Sequence, residues 1–196
     1  MVLMEKDAEV RIEIFDKHRP FRIKAWLPGK RQKALGRHKF PRKMQAEVGP
    51  TNSRKLSLIK IDLYGYGVRK VSSQLAPIKE AIEKSRYILD LKANWDDEGS
   101  PAYSESAWYS AVNFLLNFSE WTLESVWKAM PPPKIYHAPD TSIDIYWKNT
   151  NYSLLINVAG DKATFSGEKK EGTEIQGFFY SAKYKQSFIQ SFLLNP

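Results

Sequence analysis

Pro131, Pro132 and Pro133 stand in a row and divide the second half of the chain into two hydrophobic periodicities. A proline has no amide donor and clashes with a preceding helical turn, so three together end any helix that reaches them. Just upstream, apolar residues recur at helical spacing: Ala107, Trp108, Ala111, Leu115 and Phe118 follow Ser104, a residue type suited to capping a helix. Downstream the period falls to two, as in Ser142–Lys148 (SIDIYWK) and Tyr152–Val158 (YSLLINV), joined by Asn149–Asn151. Further strands are expected over Lys162–Phe165 and Thr173–Tyr180. A closing helix is expected over Ser181–Leu194, with Tyr184, Phe188 and Phe192 four apart. Two more helices are read upstream of the prolines. One is Pro77–Leu91, with Pro77 in its first turn and Ile78, Ala81, Ile82 and Leu89 on one face; the other is a short helix over Trp121–Met130.

The first 70 residues alternate as well. Val10, Ile12 and Ile14 share one face of Glu9–Phe15. Phe21, Ile23, Ala25 and Leu27 share one face of the next segment, after a turn at Asp16–Pro20. Met44–Val48 and Lys55–Tyr64 read as further strands. The expectation is an α+β fold, mostly antiparallel, with three to four helices and a β-rich N-terminal part carrying a long basic loop. Residues 1–71 and 72–196 form its two parts. The first either extends the sheet of the second or closes into a small barrel.

The chain has no cysteine, which excludes disulfides, thiolate metal sites, iron–sulfur clusters and a cysteine nucleophile. No apolar run approaches the roughly 18 residues of a membrane span, and the acidic, alternating N-terminus is unlike a signal peptide. A cytoplasmic chain without a membrane partner is therefore expected.

Charge is distributed unevenly. Residues 1–16 carry −3, residues 17–55 carry +12 from thirteen bases and one acid (Glu47), and residues 56–196 carry −1. Like charges at such density repel one another unless counter-charge arrives from outside, and phosphate is its commonest form. Phe21, Trp26 and Phe40 lie among the bases, and Pro28, Gly29, Gly36 and Pro41 oppose a long helix there. Rings stack on exposed bases while cations hold the phosphates. The candidate nucleic-acid-binding residues are Arg22, Lys24, Trp26, Lys30, Arg31, Lys33, Arg37, Lys39, Phe40, Arg42 and Lys43. The partner expected is RNA, DNA or another polyanion; an acidic protein surface is the alternative, and a solubilising loop is the plainest reading.

Between the first two helices lies Asn94-Trp95-Asp96-Asp97-Glu98-Gly99, followed after the proline break by Pro139-Asp140 and by Ile143, Ile145 and Trp147. Over roughly residues 85–180 this order resembles a family of bacterial proteins that share N-W-D-x-x-G, a helix, a proline-rich segment and strands opening near P-D-G. Asp97 stands where glycine is frequent in that pattern, and Thr141-Ser142 follow Pro139-Asp140 where glycine is usual. The resemblance implies a bacterial accessory protein or one of a pair of small gene products, and carries no activity.

Physically, Asn94 and Asp96 are suited to bond free backbone groups. Trp95 is expected to plug a gap between helices, and Gly99 to adopt a positive φ. The functional reading counts Asp96, Asp97 and Glu98 as clustered carboxylates, with Asp140 and Asp144 as the available partners for a divalent ion. That is the basis of the alternative, a metal-dependent nuclease or toxin-like enzyme using Asp96 and Asp97. An inhibitor or antitoxin-like protein partner is the other.

The histidines are His18, His38 and His137, none at zinc-site spacing; His137 and Asp140 are close enough in sequence to pair, without a nucleophile motif beside them. Gly29-Lys30 and Gly65-Tyr66-Gly67 each lack the remaining residues of a phosphate or dinucleotide fingerprint. The leading expectation is thus a non-enzymatic binding module with no catalytic residues, metal or cofactor.

Overall fold

The structure, a computed structural model, describes the backbone of residues 11–16 and 19–25, and residues 57–194 in full. Its elements in chain order are β1 (Arg11–Asp16), β2 (Arg19–Ala25), β3 (Leu58–Asp62), β4 (Val68–Ser72), α1 (Ala76–Lys84), α2 (Glu105–Val126), β5 (Lys134–His137), β6 (Ile143–Lys148), β7 (Tyr152–Ala159), β8 (Lys162–Lys169), β9 (Thr173–Tyr180) and α3 (Ser187–Leu194). The fold is α+β with antiparallel sheets, as the two periodicities require.

The large sheet runs in the order β2-β1-β9-β8-β7-β6-β5. From β9 to β5 it is a meander, each strand turning back on its predecessor. β1 pairs on the far side of β9, with Ile14 opposite Ile175, so a strand that precedes the cationic stretch joins the sheet of the meander. β3 and β4 form a separate hairpin. Alternation sorts each strand of the meander into two faces. Ile143, Ile145, Trp147, Leu154, Ile156, Val158, Ala163, Phe165, Ile175 and Phe179 line the buried face. Helix α2 covers it with Trp108, Ala111, Val112, Phe114, Leu115 and Phe118, all nearly inaccessible. The same core takes in Ile61, Leu63 and Val71 from the hairpin.

Two buried indoles show how the core handles polar atoms. Trp108 Nε1 donates to Ser85 Oγ at 2.9 Å, and Ser85 Oγ donates in turn to the Ile82 carbonyl at 2.7 Å. Trp147 Nε1 donates to the Pro131 carbonyl at 2.8 Å. Each ring is buried without stranding its N–H. Helix α3 closes the end of the core. Phe188 packs on Phe165 with centroids 4.9 Å apart, and Phe192 meets Tyr152 edge-on at 5.7 Å. Gly167 of β8 allows this approach, since a Cβ there would lie 3.0 Å from Leu154 Cδ1 and 3.1 Å from Phe192 Cζ.

Several elements differ from the sequence expectation. The helix expected over Trp121–Met130 is the last part of a continuous α2, because nothing between Phe118 and Trp121 breaks the ladder; Ser119 turns its hydroxyl back onto the Leu115 carbonyl. That helix ends on Trp127, left-handed at φ 56° and 82% exposed. The helix expected over Pro77–Leu91 is α-helical only to Lys84 and tightens into 3₁₀ turns over Ser85–Asp90, where Ser85 bonds the Ile82 carbonyl. The closing helix starts at Ser187 instead of Ser181, since Lys183 N–H and Gln186 N–H bond the carbonyls of Tyr180 and Tyr184 in turns. The strand read over Met44–Val48 lies outside the described residues.

Candidate functional site

The Asn94–Ser100 loop is held by its own side chains. Asn94, at φ 64°, donates its amide to the Ser100 carbonyl at 2.6 Å and accepts Gly99 N–H on Oδ1 at 2.8 Å. Asp96 Oδ1 accepts from the amides of Glu98 and Ser100, both at 3.1 Å, and Oδ2 accepts the Ser100 hydroxyl. The Ser100 hydroxyl most of all, and the backbone amides of Glu98, Ser100 and Asp96 to a lesser degree, hold the Asp96 carboxyl below the ordinary aspartate range against the opposing effect of burial. Gly99 takes the positive φ expected of it, 89°, and Asp97 takes 59°.

A second aspartate turn follows β5. Asp140 Oδ1 accepts Ser142 N–H at 3.1 Å and Ser142 Oγ–H at 2.5 Å, and the Ser142 hydroxyl lowers the Asp140 pKa. Asn157 Nδ2 then donates to Ser142 Oγ at 2.5 Å and to Asp144 Oδ1 at 2.8 Å, tying the turn to β7 and β6. Thr141 is left-handed here, φ 65°.

Aromatic rings join the two turns. Trp95 stands edge-on to His137 with centroids 4.3 Å apart, and Tyr103 lies 6.3 Å from the same imidazole. Tyr87 Oη and His137 Nδ1 share a hydrogen bond of 3.1 Å, and Tyr103 Oη donates to the Ala138 carbonyl. Burial pushes the Tyr87 and Tyr103 phenols up, so both remain neutral hydroxyls. Trp95 therefore seats against His137 and Tyr103 at the edge of the core. His137 pairs with Tyr87 rather than Asp140, whose oxygen is taken by Ser142. Reading the sequence alone missed Tyr87 and Tyr103, because only the pairing of β5 with β6 and the 3₁₀ turns at Ser85–Asp90 bring them to His137.

Asp96 and Asp140 are each occupied by their own turn. Among the described residues no group of three histidine, aspartate or glutamate side chains could hold a metal ion, so Asp96, Asp97, Asp140 and Asp144 do not assemble one. Elsewhere, a shallow groove of about 380 Å³ runs across the outward face of the sheet, lined by Tyr146, Ser153, Leu155, Ser166, Glu168 and Glu174 among others. No described helix is long and apolar enough to cross a membrane.

Of the predicted nucleic-acid contacts, Arg22 and Lys24 fall on the backbone of β2, with Lys24 opposite Glu13 of β1. Trp26, Lys30, Arg31, Lys33, Arg37, Lys39, Phe40, Arg42 and Lys43 lie outside the described residues, as do His18 and His38. Comparison with protein-family profiles, curated proteins and solved structures finds no match to this chain.

Proposed function

We propose that the chain is a non-enzymatic bacterial accessory protein that binds nucleic acid, RNA or DNA, through residues 17–55, with the α+β body as its scaffold. The segregation of charge carries this reading: +12 over residues 17–55 against −1 over residues 56–196. Among the described residues of the body, four cations meet carboxylates of the same molecule. Arg69 pairs with Glu120, Lys84 with Glu80 at 2.7 Å, Lys79 with Glu83 at 3.6 Å, and Arg86 with Asp62 at 3.7 Å. The cationic stretch has one acid of its own, Glu47, so its neutralisation calls for an external polyanion. Trp26 and Phe40 add stacking surface among those cations.

The test is fluorescence anisotropy with single- and double-stranded RNA and DNA across a salt series. Neutralising roughly six to eight phosphates gives a log–log slope of about −4 to −7. Replacing Lys30, Arg31, Lys33, Arg37, Lys39, Arg42 and Lys43 together by Ser removes most of the affinity and leaves the unfolding transition in place. A flat salt response, or undiminished binding in that variant, overturns the proposal.

A further inference from the structure

Resting on that reading, we infer that the outward face of the β3–β4 hairpin is a second, structured contact for a single nucleic-acid strand: Lys60 and Lys70 hold phosphates and Tyr64 offers its ring to a base. Lys60 and Lys70 stand directly opposite each other in the register, so alternation puts both on the same face. Both are exposed. Like charges directly opposite destabilise a strand pair, a cost that an anionic ligand lying across both lysines would offset.

The carboxylate sharing this face, Asp62, is committed elsewhere. It accepts Tyr64 N–H at 3.1 Å and faces Arg86 at 3.7 Å. Among the described residues no ion pair involves Lys60 or Lys70. Leu58 and Val68 flank the lysines at 62% and 60% exposure. In the sequence, Arg54 and Lys55 close the cationic stretch five residues before Lys60.

The hairpin is also a firm platform. On its opposite face Ile61 and Val71 enter the core, and Arg69 donates to Asn113 at 3.2 Å and Asn117 at 2.7 Å and pairs with Glu120, all on α2. At the tip, Tyr66 stacks flat on Tyr109 with centroids 3.9 Å apart. Tyr64 differs: the residue is 47% exposed and its backbone is left-handed, φ 43°, where glycine would sit without strain. A single strand fits this chemistry because its base faces are open to a ring, whereas a duplex hides them.

The probe is a fluorescent oligothymidine of roughly 20 nucleotides, long enough for one such site. Lys60→Ser with Lys70→Ser is expected to flatten the salt slope by about 1.4, the share of two single-strand phosphates. Tyr64→Gly is expected to weaken binding about tenfold through lost stacking while raising the unfolding temperature, which a merely structural tyrosine would not do. Unchanged affinity and slope in both variants, with binding lost in the seven-residue Ser variant, overturns the hairpin contact and leaves the cationic stretch standing. A wild-type chain that ignores this strand overturns the hairpin contact; one that ignores every RNA and DNA of the salt series overturns the reading it rests on as well. Capture of polyglutamate in place of the oligonucleotide, lost in the Lys60/Lys70 variant, makes the hairpin a protein contact and overturns the inference as well.

Discussion

Thr141 and Asp97 are both left-handed, at φ 65° and 59°. An L side chain is strained there, a β-branched one most of all, while aspartate tolerates the region better than most. Thr141→Gly is therefore expected to stabilise the fold by about 0.5–1 kcal/mol, and Asp97→Gly by less. Urea unfolding of the two variants measures this; the reverse order, or a loss in Thr141→Gly, would contradict the strain argument. The need for a bend at these points was legible in the motif, since Asn94, Asp96, Gly99 and Asp140 are turn formers at fixed offsets. What that pattern could not show is that Trp95 and His137 would meet, because an edge-on contact across 42 positions depends on strand pairing.

At the level of the elements, legibility followed the number of buried residues each contributes. β6 and β7 alternate over their whole length and were readable, as was the amphipathic stretch of α2. β5 buries only Ile135 and β4 only Val71, so neither leaves a periodic trace, and each is defined by its pairing partner. The seat of α3 was also hidden, because it depends on an absent side chain. Gly167→Ala places a methyl group 3.0–3.1 Å from Leu154 Cδ1, Phe192 Cζ and the Ser153 carbonyl oxygen. Overpacking of this kind costs about 1–3 kcal/mol. The expected result is a lower unfolding midpoint together with faster hydrogen exchange in residues 187–194. A neutral substitution would mean that α3 can withdraw without penalty.

For the molecule as a whole, the perturbed groups bracket a pH range. Asp96 and Asp140 are lowered in the folded state, so their contribution is present above the ordinary aspartate value near ~4 and is lost as pH falls through their depressed folded values. Tyr87, Tyr103 and Tyr152 are raised, so their contribution is present below the ordinary tyrosine value near ~10 and is lost as pH rises through their elevated ones. Unfolding free energy is expected to vary little from these groups between roughly pH 5 and pH 9 and to fall on either side. A titration of the urea midpoint checks both limbs; an increase in stability on acidification below about pH 4 would contradict the first. The pairing of β1 with β9 has a further implication, for the order of events during synthesis. β1 precedes the cationic stretch and β9 follows it, so that stretch leaves the ribosome well before β1 can pair with β9. A nascent chain arrested ahead of Thr173 would present those lysines and arginines while β1 still lacks its partner.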